Sequence, residues 1–250
     1  MTNTKHTDCP DITPNQECND SCCPEYVPTE DWCKAFNKRT LEHQRNAMER
    51  SFDAMWFNIE DARNTIGQME QHLHVIYELL LAVQDQVVSV SSQAAMTDND
   101  KESAGKAIEV FIKEIQNVID GAHYNGRSLI SRGNVDNDSD YQTPSISFRM
   151  AGCNSFCSSS DISTELNDFV LELAELEASY GLDIDLEESE SEDGSETIDD
   201  QISKVNDAIC ELGVALDKLR AYRQVLCMRE KQIKICKNGQ DICFDHKCKL

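Results

Sequence analysis

The sequence predicts a mainly α protein, an elongated antiparallel bundle of long helices that form coiled-coil contacts, with a small β-hairpin region. Two observations carry this prediction. Apolar residues recur at alternating steps of four and three over long stretches, which is the spacing of a helical seam. Between the second and third of these stretches, apolar and polar residues alternate as in a half-buried strand.

The first long helix is predicted by a seam of about six heptads. At 1.5 Å per residue, a helix of ~60 residues is about 90 Å long, so it must pack along other long helices in a rod. Its seam is Met48, Phe52, Met55, Ile59, Ala62, Ile66, Met69, Leu73, Ile76, Leu80, Val83, Val87, Val90 and Ala94.

A second helix is predicted after a turn around Asp98. Ile112 and Ile119 widen its apolar face, which predicts packing against more than one partner. It is predicted to end near Asn125 and Gly126, because these residue types tolerate a positive φ. Its seam is Ala104, Ile108, Phe111, Ile115, Val118 and Ala122.

The middle of the chain is predicted to be mixed. Ile146, Phe148 and Met150 alternate with polar residues and predict a half-buried strand. A short acidic helix is predicted from the apolar spacing that follows, and residues 186–196 (LEESESEDGSE) are predicted to be a solvated acidic link. The spacing that predicts the acidic helix is Leu166, Phe169, Leu173, Leu176 and Tyr180.

The last long helix again has heptad spacing. Beyond Leu219 the seam would place Arg223 and Glu230 inside, which predicts a weakened or shifted register there. Pairing of the first and last helices would bring both ends of the chain to one end of the rod. The predicted seam is Ile198, Ile202, Val205, Ile209, Leu212, Leu216 and Leu219.

The predicted organisation has three parts. Residues 1–33 form a Cys-rich N-terminal segment, of which the first 30 are loop-like and carry four of the five prolines. Residues 34–226 form the helical rod, with the β-turn region at about 124–165. Residues 227–250 form a Cys-rich C-terminal segment.

The charge of the chain argues against two classes of partner. Its formal net charge is −23, with 46 Asp and Glu against 23 Lys and Arg, whereas nucleic acids and anionic membrane surfaces require basic patches. No run approaches the ~18 apolar residues of a membrane span. The start, MTNTKHTDCP, lacks the apolar core of a secretory signal.

Twelve cysteines are concentrated near the two ends of the chain. An even count in segments that contain Pro and Asn is typical of disulfides and of an oxidising compartment. Because the start does not resemble a cleaved signal, we expect export by a route that cleaves nothing. Connectivity does not follow from sequence. The disulfide candidates are Cys9, Cys18, Cys22, Cys23, Cys33, Cys153, Cys157, Cys210, Cys227, Cys236, Cys243 and Cys248.

Metal binding is the alternative for the same residues. Two sets, Cys18 with Cys22 and Cys23, and Cys243 with His246 and Cys248, contain soft ligands, but neither forms paired Cys-x-x-Cys blocks. This alternative is a zinc module on a coiled-coil stalk. Residues 134–140 (NVDNDSD) are rich in oxygen ligands but lack the Gly and the terminal Glu of a calcium loop, which favours a solvated turn.

The sequence predicts no enzyme activity and no cofactor. His72 and His74 are two residues apart and therefore point to different sides of a helix, and His123 has no evident Ser or Cys partner. There is no phosphate-binding Gly-rich loop and no metalloprotease helix motif.

The order of these elements and several local strings resemble bacterial flagellin. LLAVQ (80–84) is similar to a string in the first long helix of that family, and IEVFIKEIQNVIDGAHYNGRSLI (108–130) is similar to its second helix and the turn that ends it. In that turn Tyr124, before Asn125 and Gly126, stands where Phe is usual. Further resemblances are ISFRMAGCN (146–154), YGLDIDL (180–186) and IDDQISKVNDAICELGVALDKLRA (198–221), so the similarity covers roughly residues 45–225.

The resemblance implies a helical rod with β-turns packed on its side, and a structural role in a bacterial flagellum. The chain departs from the family at both ends, where Cys-rich segments replace the terminal segments that form the innermost coiled coil of the filament. We therefore expect an extracellular subunit or accessory of a flagellar filament, or a relative of the hook-junction proteins, whose partners lie along the rod. Self-association and binding to other flagellins are both open, and the terminal cysteines are hypothesised to form a disulfide cap.

Overall fold

A computed structural model describes residues 30–92, 97–134, 142–150, 168–184, 186 and 197–247, without the side chains of 30–36 and 240–247. The chain divides into two compact units, residues 1–47 and 48–250. In the first unit the described residues belong to a helix, and most side chains of residues 37–47 are exposed. The predicted loop-like N-terminal segment, the acidic link after residue 186 and residues 135–140 lie outside the described residues.

The protein is mainly α, as predicted. Its helices are α1 (Glu30–Ser92), α2 (Asp98–Gly121), the one-turn α3 (Glu177–Tyr180) and α4 (Ile198–Lys247). Short strands lie between α2 and α4: β1 (His123–Tyr124), β2 (Arg127–Ser128), β3 (Ile130–Ser131), β4 (Ser145–Phe148), β5 (Phe169–Glu172) and β6 (Ala174–Glu175). Helix α4 continues through residue 226, where the sequence predicted the start of a separate segment.

The predicted seam of α1 is confirmed. Every seam position from Phe52 to Val90 is buried, and most are fully inaccessible. Burial of an apolar residue at each third or fourth position contributes roughly 1.5–3 kcal/mol per large side chain, so the seam is the main source of stability for α1. Met48 is partly buried, and Ala94 lies outside the described residues.

Helix α2 begins where the turn chemistry predicted. Thr97 is the N-cap: its hydroxyl accepts a hydrogen bond from the Asp100 amide, and the Asp100 carboxylate accepts one from the Thr97 amide. This reciprocal pair satisfies two donors that a helix start leaves unpaired. Ala104, Ile108 and Ile115 are buried along the predicted seam, and Ile119 beside them is buried as well. Phe111 and Val118 of the predicted seam, and Ile112 on its flank, are only partly buried.

The strands form three separate pairs. Strands β1 and β2 are antiparallel, with Tyr124 opposite Arg127, and β4 and β5 are antiparallel, with Ile146 opposite Leu171. Strands β3 and β6 are parallel. The predicted half-buried strand is confirmed at Ser145–Phe148, where Ile146 and Phe148 are buried and Ser145 and Ser147 are exposed. Met150 is buried too, but it lies beyond the end of the strand.

The predicted acidic helix at 166–180 is wrong. Within this stretch Phe169–Glu172 form β5 and Ala174–Glu175 form β6, and only the last turn is helical. Phe169 and Leu171 are buried while Val170 and Glu172 are exposed, which is the two-residue period of a strand. The apolar spacing fitted a helix as well, but pairing with β4 decides the conformation. The β region therefore extends to residue 175, beyond the predicted limit near 165.

In part of the α4 seam, each buried residue lies one position before the one that was predicted. Val205, Leu212 and Leu219 are buried as predicted, whereas the alternate positions are occupied by smaller or polar residues. Ile202, Ile209 and Leu216 flank the seam and are only partly buried. The buried positions are Gln201, Val205, Ala208, Leu212, Ala215, Leu219, Leu226 and Ile233.

Beyond Leu219 the seam weakens, as predicted, but it does not shift. Leu226 and Ile233 are buried at the same spacing, whereas Tyr222 and Arg229, at the alternate positions, are only partly buried. In heptads labelled a to g, with a and d as seam positions, Arg223 and Glu230 lie at e, on the flank. Arg223 forms an ion pair with Glu70 of α1. Glu230 accepts a hydrogen bond from Arg63, at 2.9 Å between Nη2 and Oε2. The two charges that the sequence placed inside therefore lie at the edge of the seam.

Candidate functional site

The turn at Asn125-Gly126 is the loop of a two-residue hairpin. Asn125 has φ of 50° and Gly126 has φ of 74°, which is typical of the type I′ turn that matches the twist of a tight hairpin. The sequence predicted the positive φ values, but it attributed them to the end of a helix. Helix α2 ends earlier, at Gly121, and the Leu129 amide donates to the Ala122 carbonyl oxygen at 2.8 Å.

Asp61 of α1 contacts this hairpin at two residues, one in the turn and one in β2. Its Oδ1 accepts a hydrogen bond from Asn125 Nδ2 at 3.3 Å, and its Oδ2 is 3.7 Å from Arg127 Nη1. The side chain of Asp61 is 17% exposed, so the pair is better shielded from water than most surface ion pairs. This role could not be predicted from the sequence, because Asp61 is one of many carboxylates.

The strand region also contacts α1 next to Asp61. Asn58 Nδ2 donates to the Arg149 carbonyl oxygen at 2.6 Å, just after β4. The Arg127 guanidinium lies 5.9 Å from the ring centre of Phe148, within the range of a cation–π contact. Hairpin β1–β2 and strand β4 are thus held on one stretch of α1.

Glu211 of α4 holds the one-turn helix α3. Its carboxylate accepts hydrogen bonds from the amides of Ala178 and Ser179 and from the Ser179 hydroxyl, each at 3.0 Å. Ser179 is fully buried. A carboxylate at the first amides of a helical turn satisfies donors that would otherwise be unpaired. The sequence analysis did not identify Glu211 or Ser179.

Tyr222 of α4 contacts β5. Its hydroxyl accepts a hydrogen bond from the Glu172 amide at 3.3 Å, and its ring meets Phe169 edge to face at 5.9 Å between centres. Burial raises the pKa of the Tyr222 hydroxyl, so it remains neutral at physiological pH. Tyr222 is therefore a packing and hydrogen-bonding residue.

Two open clefts flank the strand region. One, of about 270 Å³, lies between α4 and β5–β6 and is lined by Glu172, Glu175, Glu177, Glu211 and Lys218. Within the described residues Oε1 of Glu175 is buried without a hydrogen-bond partner. The second, of about 400 Å³, contains the Asp120–Arg132 ion pair, at 2.8 Å, and the exposed His123. Neither lining includes a cysteine.

Most of the predicted disulfide cysteines lie outside the described side chains. Among those described, Cys210 and Cys227 carry free thiols and are exposed on α4. Cys236 is disulfide-bonded, and no two of the described cysteines lie within disulfide distance of each other. The described part of the chain therefore assigns no connectivity to the predicted disulfide cap.

The other candidate ligands lie apart. Within the described residues no three His, Cys, Asp or Glu side chains are arranged to hold a metal ion. The side chains of Cys243 and His246, and residues 18–23 and 135–140, lie outside the described part. His72 is half-buried and His74 is exposed on α1, as expected from their spacing.

One stretch of α1 is apolar enough and long enough to cross a membrane by composition alone. A third of the residues in that window are buried within the protein. A helix that packs its seam on other helices passes the same test, so the stretch is weak evidence for a membrane segment.

Comparisons with known proteins assign no family. No protein-family model matches the chain, and no curated protein matches it.

Proposed function

We propose that the chain is a structural, flagellin-like protein, a subunit or accessory of a bacterial flagellar filament that acts through contacts along its helices. In this proposal residues 48–250 form an elongated antiparallel bundle. Helix α4 has 50 residues and is about 75 Å long at 1.5 Å per residue. A helix of that length exceeds the diameter of a compact domain of this size.

The observation that carries the proposal is a set of side-chain contacts between α1 and α4. Arg63 contacts Glu230, and Glu70, one heptad later, contacts Arg223, one heptad earlier. All four residues lie at e positions, each four residues after a buried a position of its own helix. Contacts between e positions that advance in opposite directions are the pattern of two antiparallel helices that share one seam.

Two further contacts follow the same order. Gln84 Nε2 donates to Asn206 Oδ1 at 2.9 Å, near the other end of the seam. The Lys234 ammonium lies 5.4 Å from the ring centre of Trp56. From Trp56 to Gln84, each contact further along α1 is made with a residue further back along α4. This run supports an extended pairing rather than a single crossing point.

The strand region supports the flagellin-like part of the proposal. The chain turns from α2 into a hairpin at Tyr124-Asn125-Gly126, and this hairpin binds the side of α1 through Asp61. The resemblance implies β-turns against the side of a helical rod at this place in the sequence.

The shape is tested by small-angle X-ray scattering of the purified chain. A compact protein of 250 residues has a radius of gyration of about 18 Å, and an elongated bundle has a clearly larger one. A value near 18 Å would contradict the elongated bundle. The pairing itself is tested by Glu70→Arg, expected to weaken the fold, and by Glu70→Arg with Arg223→Glu, expected to restore it.

The filament role needs a separate test. A tagged chain is expressed in a flagellated bacterium, and its filaments are examined by immunogold electron microscopy alongside the culture medium. Labelled filaments support a subunit or accessory. Labelled protein that stays inside the cell would overturn the proposal of an exported flagellar component.

The proposed extracellular location and disulfide cap are tested together by peptide mapping of the unreduced protein, with a zinc assay on the same sample. Bridges between residues 9–33 and 227–248 support the cap. Free thiols with stoichiometric zinc would instead support the zinc module on a coiled-coil stalk.

A further inference from the structure

Helix α4 has a second apolar stripe, separate from its buried seam. Val214, Ala221, Met228 and Ile235 are spaced one heptad apart, and all are exposed. The exposed fractions are 59% for Val214, 56% for Met228 and 66% for Ile235. Each stripe residue follows a buried seam residue by two positions, which places it about 200° around the helix from the seam.

The spacing makes this stripe more than scattered exposure. Isolated surface apolar residues are common and carry no argument. Here four successive c positions of one helix are apolar over about 32 Å, and Val225 at a neighbouring g position is only half-buried. At the N-terminal end of the stripe Val214 also lines the open cleft between α4 and β5–β6. Met228 and Ile235 are exposed beyond that cleft, and a heptad-spaced exposed face is the surface that a further helix would pack against.

The charges beside the stripe are self-complementary. On its f flank, Asp217 lies near the N-terminal end and Lys231 near the C-terminal end, and both are exposed. If a second α4 lies antiparallel, with Val225 facing its own copy, Val214 meets Ile235 and Ala221 meets Met228. The same register places Asp217 opposite Lys231, twice, because the arrangement is two-fold symmetric.

We propose that this stripe is the contact between two copies of the chain, which pair antiparallel through α4 about a two-fold axis near Val225. The remaining charges in the contact are compatible with it. Lys218 lies opposite Gln232 in this register and also has Glu172 at 4.0 Å within its own chain. Asp217 has Arg220 at 2.6 Å, but both side chains are exposed and water screens the pair, so Asp217 can also bind Lys231 of the second copy.

The size of the stripe sets the strength of the contact. Two helices that meet over about 32 Å bury less than about 1,200 Å² in total, which is the class of weak and transient interfaces. We therefore expect a concentration-dependent dimer. The dimer rests on the proposed structural role and identifies a second copy of the chain as one partner in that role. The dimer does not require that the protein is exported or that it enters a filament.

The first test is sedimentation equilibrium of the full chain over a range of concentrations, without reductant so that the disulfide of Cys236 stays intact, and a non-reducing gel checks that no dimer is disulfide-linked. The expected result is a monomer–dimer equilibrium. Ile235→Glu is expected to raise the dissociation constant by about tenfold or more, because it places a charge in the apolar stripe. Val110→Glu is the matched control, since Val110 is 65% exposed on α2, away from the stripe.

The second test uses the predicted charge pairs. Asp217→Lys places two lysines opposite each other and weakens the dimer, and Asp217→Lys combined with Lys231→Asp restores it. A monomer at all concentrations, or a dimer that Val110→Glu weakens as much as Ile235→Glu does, would overturn the inference. If no dimer forms but filaments are labelled, the α4 contact is contradicted and the filament role is not. If the dimer forms but no filament is labelled, the filament role is contradicted and the α4 contact is not.

Discussion

The long helices and the strand region are stabilised in different ways. In α1 many similar apolar residues repeat along one face, and each contributes a comparable burial. The strand region adds apolar residues to the same core, but its strands of two to four residues have no such repeat, and polar contacts through Asp61, Glu211 and Tyr222 join it to the helices. The first kind of stability is spread over a repeat, whereas the second is concentrated in a few residues.

This difference has a consequence for mutation. A change in the seam should affect the whole unit of residues 48–250, because the seam residues belong to one continuous core. A change at a polar anchor should loosen the strand region locally and leave the helices paired. Global unfolding and local amide exchange therefore separate the two regions.

Leu73→Ala is expected to give the largest effect. Leu73 is fully buried in the middle of the α1 seam, and a buried Leu→Ala change costs about 3 kcal/mol or more, through lost burial and a cavity. Val75→Ala on the same helix is the control, because Val75 is 46% exposed and should change the free energy of unfolding by less than about 0.5 kcal/mol. Chemical denaturation measures both, and equal losses would contradict the assigned seam.

Gly133→Ala tests the close packing of the strand region on α3. Gly133 has φ of 76°, and an added Cβ would lie 2.6 Å from Cβ of Glu177, so both strain and overlap oppose the change. We expect a loss of about 2–3 kcal/mol. Gly126→Ala is the control: its φ of 74° is similar, but an added Cβ meets nothing within 4 Å, so only about 1 kcal/mol is expected. If Gly126→Ala proved as costly as Gly133→Ala, the overlap would be absent.

Asp61→Ala should loosen hairpin β1–β2. The change removes a hydrogen bond to Asn125 and an ion pair to Arg127, with an expected loss of about 1 kcal/mol. Faster amide exchange at Leu129, whose amide donates to Ala122, is the local measurement. Asp53→Ala, at an exposed position of the same helix, should leave that exchange unchanged. Unchanged exchange in the Asp61 variant would mean that the hairpin does not depend on this anchor.

The same difference between the two regions explains what could be predicted from the sequence. The α1 seam was predicted residue by residue, because a repeated local pattern needs no knowledge of distant partners. In α4, Ile202, Ile209 and Leu216 were more apolar than the residues that are buried instead. Ala208 and Ala215 occupy the seam there, and Ser179 lies against the Ala208 carbonyl oxygen at 3.5 Å. Small residues permit this close approach of α3, which apolar spacing alone does not reveal.

In the strand region the sequence fitted two structures equally well. Phe169 and Leu173 satisfy helical spacing, and Phe169 and Leu171 satisfy strand spacing, so the choice depends on pairing with residues 145–148. The anchors Asp61 and Glu211 had no signal, because their partners are distant in sequence and carboxylates are abundant in this chain. The turn at Asn125-Gly126 was predictable because its backbone requirement is local.

The ion pairs between α1 and α4 should give the smallest effect, and one that depends on pH. A hydrogen bond from Lys234, with a further contribution from Arg63, lowers the pKa of Glu230 below its ordinary value of about 4.3. Stability from a lowered pKa is present above the unfolded pKa and is lost as the pH falls through the folded one. Glu230→Gln should therefore cost a few tenths of a kcal/mol at pH 7 and nothing near pH 2.

Thermal unfolding of the Glu230→Gln variant and the wild type across this pH range measures the difference. Glu78→Gln, at an exposed position of α1, is the control and should cost nothing at either pH. A Glu230→Gln cost that persisted at pH 2 would mean that the side chain acts through packing rather than charge. A cost of several kcal/mol at pH 7 would place Glu230 in the stabilising core of the seam, and the distinction between a uniform apolar seam and a weak charged edge would then fail.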